Sequence, residues 1–138
     1  MRGELDFIAA LEKRVGMLKG LQESTLQAVF DDRVRLTAGA RTLIQTMNAA
    51  GAMTALVSGG FTFFTSRVAD LTGFQVHRAN QLGAEGGVLT GTVIPPIVDS
   101  ATKLASLNEF AGLKGLSLAE TLAVGDGAND IPMIRAAG

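Results

Sequence analysis

Val124-Gly125-Asp126-Gly127-Ala128-Asn129-Asp130 sets two carboxylates and a carboxamide within five residues, on a turn opened by glycines. Just before it, Thr121-Leu122-Ala123-Val124 is a short apolar run that predicts a third buried strand. In open α/β sheets ligands bind beyond the carboxyl ends of the strands, so an acidic turn at this place is well positioned for a site. Oxygen donors at this spacing suit a hard divalent cation such as Mg²⁺. Asp126 then points inward from the strand end, and Asn129 and Asp130 follow, one on the ion or its water and one supporting from behind. The plainer reading is a solvated turn in which Asp130 caps a helix from Ile131 to Ala137, with Pro132 where a helix start tolerates proline. Spacing alone leaves both open.

Toward the amino terminus the same strand-then-turn pattern recurs. Met53-Thr54-Ala55-Leu56-Val57 predicts a buried parallel strand ending at Ser58-Gly59-Gly60, with a helix from Phe61 to Leu71 stopped by Gly73. A hydroxyl and free backbone N–H groups at a helix start make an anion pocket. Taken singly, Ser58 reads equally as an ordinary helix cap. Phe74 to Ala79 is another strand, and the four glycines between Gly83 and Gly91 enclose a small hairpin at Val88-Leu89-Thr90. Pro95-Pro96 precedes a helix opened by Asp99 or Ser100 and running through Lys103, Leu104, Leu107 and Phe110. Residues 38–138 therefore predict an α/β domain on a parallel sheet.

Residues 1–37 read differently. Leu5, Ile8, Leu11, Val15 and Leu18 recur at steps of three and four, one apolar face of a helix from Glu4 to about Leu21. A shorter helix follows from Ser24 to Phe30, and Thr37 stands as the cap of the next, which runs to Ala50 and is closed by Gly51. The expectation is a helical cap segment over 1–37 and the α/β core over 38–138.

Composition narrows the chemistry. The 138 residues carry 12 Lys+Arg against 13 Asp+Glu, a net charge of -1 that offers no field for nucleic acid or an anionic membrane. With no Trp or Tyr, stacking platforms for single strands are missing too. There is no cysteine, which excludes a disulfide framework and any thiolate ligand or nucleophile and is compatible with a cytoplasmic setting. No apolar run reaches the ~18–20 residues of a membrane span, and Glu4 and Asp6 interrupt any signal-peptide core.

Single residues weigh less. A lysine such as Lys103 is ordinarily a solvated surface charge. It gains meaning as a cation facing a phosphate held by Ser58 and a metal. Arg14 is a surface charge or a fork for a carboxylate. His77, the only histidine, reads as structural or exposed, and Phe61, Phe63 and Phe64 as core.

Together these segments resemble the haloacid-dehalogenase superfamily, and within it the phosphoserine phosphatase branch. Val124 to Asp130 is similar to the superfamily's fourth motif, Val57-Ser58-Gly59-Gly60-Phe61 to its second, and Lys103 stands at the third. Met1 to Phe7 and Leu11 to Val15 look like the branch's helical cap, Ala79-Asn80-Gln81-Leu82 and Gly87 to Gly91 like its strand and hairpin. The resemblance implies a Rossmann-like parallel sheet with a helical cap, and hydrolysis of O-phosphoserine, the last step of serine biosynthesis, through an aspartyl-phosphate with Mg²⁺. On matching positions, Ser58, Gly59 and Lys103 hold the phosphate, and Asp126 and Asp130 serve the metal. Asn129 supports the loop. Arg14 takes the substrate carboxylate, and Met1 and Phe7 line the cap side.

One departure is large. The family's first motif, Asp-x-Asp, which holds the nucleophile and the acid/base, occurs nowhere in these 138 residues. The expectation is a piece of a phosphatase that is inactive alone and is either unstable as a monomer or closes its open sheet edges by pairing or strand exchange with a second copy. The alternatives are a phosphate- or metal-binding remnant without turnover, and a phosphatase for another small phosphate monoester.

Overall fold

The computed structural model describes residues 2–138, with side chains from Phe7 onward; Met1, expected on the cap side of the site, lies outside the described residues. The elements in order are α1 (Arg2–Gly16), α2 (Ser24–Arg33), α3 (Ala40–Ala49), β1 (Ala55–Phe61), α4 (Thr62–Thr72), β2 (Val76–Glu85), β3 (Val88–Ile94), α5 (Ser100–Lys114) and α6 (Ile131–Ala136). No described helix is long and apolar enough to cross a membrane.

β2 is the centre of a three-stranded sheet of order β1-β2-β3. It pairs parallel with β1, from Ala55 opposite Val76, and antiparallel with β3, from Gln81 opposite Ile94. The hairpin turns on Gly86-Gly87, whose φ of 56° and 79° suit glycine and match the twist of two strands joined by two residues. The sheet is thus mixed, not wholly parallel, and its third member is the hairpin strand.

Thr121–Val124 is no strand. Its apolar residues give the same signal as a buried strand, but a strand needs a neighbour for its N–H and C=O groups, and no described segment pairs with it. Leu122 and Val124 are 71% and 76% exposed, and the outer edge of β1 is likewise unpaired among the described residues.

Three local expectations shift. α1 ends at Gly16, because residues 17–20 form a turn that docks on the hairpin: Gly20 N–H donates to Leu89 O and Leu89 N–H to Leu21 O. Gly39, with φ 83°, begins α3 in place of Thr37, whose carbonyl instead accepts from Ala40 N–H. Ser58-Gly59-Gly60 lies inside β1, and Phe61 precedes α4.

The packing follows the apolar spacing. Leu11 and Val15 of α1 are buried where that helix meets β3. α2 rests on α4 through the Phe30–Phe64 ring pair and a hydrogen bond from Arg67 to Gln27. Phe61, Phe63 and Phe64 are half-buried, and His77 is exposed with its Nδ1 beside Thr65 Oγ1.

Candidate functional site

The site is assembled around a bulge in β1. Between the pairs Val57–Arg78 and Phe61–Asn80, β1 advances four residues while β2 advances two, so Ser58-Gly59-Gly60 is pushed out of the parallel ladder. Ser58 Oγ accepts the Gly60 N–H at 3.0 Å, a local turn that fixes the hydroxyl. Gly59 stands at the crossing point of three segments. A Cβ there would lie 3.6 Å from the Phe7 ring, 3.7 Å from Val98 O and 4.0 Å from Asn129 Nδ2. α1, the segment before α5 and the acidic turn therefore converge on this glycine.

α5 brings Lys103. Asp99 caps the helix by accepting from Thr102 N–H at 2.7 Å, and that bond holds its carboxyl below the usual range. Farther along, Arg78 of β2 reaches Ser106 and grips Glu109 with both ends of its guanidinium, at 2.9 and 3.0 Å. The helix is thereby capped just before Lys103 and tied to the sheet just after it.

Lys103 and Asp130, each only 6% exposed, form a salt bridge through Nζ and Oδ1. The other carboxylate oxygen of Asp130 accepts from Gly127 N–H at 3.0 Å. The hydrogen bond from Lys103, helped by the Gly127 N–H, outweighs burial and lowers the Asp130 pKa. The glycines of the turn are required by close approach. A Cβ on Gly125 would fall 2.5 Å from Asp130 Cβ, and one on Gly127 would collide with the Asn129 amide oxygen. Asp130 thus braces Lys103 and the turn at once, and its side chain does not cap α6.

Asp126 is exposed and has no side-chain hydrogen bond or ion pair among the described residues. No group of three or more His, Cys, Asp or Glu side chains gathers for a metal among them. Mg²⁺ is commonly held by only one or two carboxylates plus water and substrate phosphate, so a single free carboxylate fits that ion as a partial donor set. Asp130 fits less well as a direct ligand, since both its oxygens are already engaged.

Phe7 and Asn129 therefore stand beside Gly59, and Lys103 is tied to the same turn through Asp130, the residue after Asn129; Ser58 precedes Gly59 in the bulge. Arg14 is exposed two turns along α1 from Phe7, which puts both on one side of that helix. Two shallow clefts of about 220 and 200 Å³ are lined by none of these residues. Sequence reading missed Asn80, which is fully buried and spans from the bulge to Val98, and Arg78. No local signal marks either, since polar residues already alternate along this strand at Gln75 and His77.

A model of the haloacid dehalogenase-like hydrolases matches residues 1–135. The chain belongs to that family. Over its full length it is 47% identical to a phosphoserine phosphatase of Streptomyces coelicolor, covering 33% of that protein. It is 46% identical over 137 residues to one of Idiomarina loihiensis, covering 62% of it. A crystal structure of a probable phosphoserine phosphatase from Vibrio cholerae superposes with TM-score 0.91 at 36% identity, over 99% of this chain and 42% of the other. A phospho-aspartyl intermediate analogue of phosphoserine phosphatase gives 0.90 at 36% identity, covering all of this chain and 66% of the other. The family assignment agrees with the resemblance to haloacid dehalogenases and with the expected α/β class. The chain spans between about a third and two thirds of the relatives it matches.

Proposed function

We propose that these residues form the phosphate-binding and metal-facing part of a phosphomonoesterase acting on O-phosphoserine. The observation that carries this is the convergence of the Ser58–Gly60 bulge, buried Lys103 and the Asp126–Asp130 turn. Its support is the phosphoserine phosphatase named for each of the relatives.

Phosphoryl transfer is mostly a matter of positioning and of neutralising charge on the transferred group. Lys103 Nζ has three donors; one is spent on Asp130, and two remain for phosphate oxygens. The ionised Asp130 balances the ammonium and stops it from swinging away. The Ser58 hydroxyl accepts from Gly60 N–H, so its own proton is free to donate to a phosphate oxygen. The Phe7 ring and the Asn129 amide both border Gly59. Arg14 takes the substrate carboxylate. Asp126 would hold Mg²⁺, which when bound would withdraw charge from the phosphate.

The nucleophile is not among these residues, since no Asp-x-Asp occurs in them. The test is a chimera joining the amino-terminal segment of the Idiomarina loihiensis relative ahead of Met1. Mg²⁺-dependent phosphate release from phosphoserine by the chimera, absent from residues 1–138 alone, is the expected result. A folded chimera that binds neither phosphate nor phosphoserine refutes the proposal. Turnover of other monoesters in preference to phosphoserine would move the assignment to a different substrate.

A further inference from the structure

Asn80 is a polar side chain with no solvent exposure, in the middle strand of the sheet. Asparagine disfavours strands, and a buried carboxamide is costly unless both of its ends are bonded. Here both are. Nδ2 donates to Gly59 O at 2.9 Å, and Oδ1 accepts from Val98 N–H at 2.7 Å.

Neither partner belongs to a regular ladder. Gly59 O is expelled from pairing by the bulge, and Val98 lies between β3 and α5. An apolar residue at 80 would leave a carbonyl and an amide hydrogen buried without partners. A carboxamide offers one donor and one acceptor on a rigid plane, so it answers both at a fixed separation.

What it joins gives the arrangement its meaning. One end holds the residue after Ser58; the other holds the residue before Asp99, which caps the helix that carries Lys103. We propose that Asn80 is a positioning residue that sets the spacing between Ser58 and Lys103 by bridging the β1 bulge to the start of α5. This rests on the phosphate-binding reading of those two residues. Asn80 need not touch the ligand.

The test uses the chimera described above with Mg²⁺ and inorganic phosphate, followed by NMR at the Gly59, Gly60 and Lys103 amides. Asn80→Ala removes both bonds, whereas Asn80→Asp keeps the acceptor for Val98 and sets a carboxylate against the Gly59 carbonyl. Both should weaken phosphate binding about tenfold or more, the loss of at least one well-formed hydrogen bond's effect. Thr72→Ala serves as control, since Thr72 is equally buried but bonds only within α4. At a matched loss of melting temperature it should change affinity less than about twofold.

Equal weakening by Thr72→Ala and the Asn80 variants would make Asn80 a packing residue and overturn the proposal. If the variants do not fold, the wild-type side-chain amide of Asn80 decides: its resonances should shift as phosphate saturates. Fixed resonances while Gly59 and Gly60 move would refute the coupling. A folded wild-type chimera whose three amides ignore phosphate refutes the phosphate reading itself, and this role with it.

Discussion

Lys103 on α5 and Asp130 at the head of α6, 27 positions apart, meet as an ion pair from which water is almost excluded. Breaking such a pair from one side strands a buried charge, at a cost of about 3–5 kcal/mol. Lys103→Met and Asp130→Leu should each destabilise the chain by that order, and the double substitution by less than the sum. Urea unfolding of the four proteins in a double-mutant cycle measures the coupling. Strict additivity would show that the two side chains are held independently.

Asp126 differs from Asp130 in being exposed and uncommitted. Calorimetric titration with Mg²⁺ should give weak binding to residues 1–138, since one carboxylate is a short donor set. Asp126→Asn should reduce it about tenfold or more. Tight binding that survives the substitution would place the ion elsewhere.

Asp99 supplies a pH dependence. The bond from Thr102 N–H lowers its pKa from the ordinary value of 3.8. A lowered folded-state value means that the cap's contribution is fully present above about pH 4 and is lost as pH falls through the lowered value. Asp99→Ala should cost about 1 kcal/mol near neutrality. The gap in melting temperature between the two proteins should narrow as pH falls below the ordinary carboxylate range. A gap that does not narrow anywhere in the acid range would mean that the cap does not depend on the charge.

How much of this was legible in the sequence depends on how local each signal is. The helix start at Asp99 or Ser100 is decided by a few adjacent residues and was readable; the hairpin was read two residues late, at Val88-Leu89-Thr90, which belong to β3, whereas the turn is Gly86-Gly87. The bulge at Ser58–Gly60 was read as a loop, because strand register exists only relative to β2. Thr121–Val124 was read as a strand because apolar residues report a wish for burial, not the presence of a partner. Lys103 was placed from family resemblance. Its partnership with Asp130, which makes it more than a surface charge, is a long-range contact that no spacing encodes. Asn80 was passed over for the same reason: its two bonds reach 21 residues back and 18 forward.

Arg14 carries the substrate preference of the proposed reaction. In the chimera, Arg14→Ala should raise KM for phosphoserine about ten- to a hundredfold, the range of a lost charged hydrogen bond. For a phosphate ester without a carboxylate, KM should barely move. Equal losses on both substrates would make the residue structural.

Residues 1–138 expressed alone should associate with themselves and release no phosphate from phosphoserine. The outer edge of β1 presents unpaired backbone groups, and Leu122 and Val124 stand 71% and 76% exposed on an extended, unpaired segment. An exposed edge is a template for another chain, and adjacent apolar side chains add a surface to bury. Sedimentation should show dimers or larger species that grow with concentration. Leu122→Lys with Val124→Lys should shift the distribution to monomer, because charged side chains oppose pairing between copies. A monodisperse monomer across the whole concentration range would show that the edge is protected. Metal-dependent turnover by that monomer would show that no residue outside these 138 is needed for the chemistry.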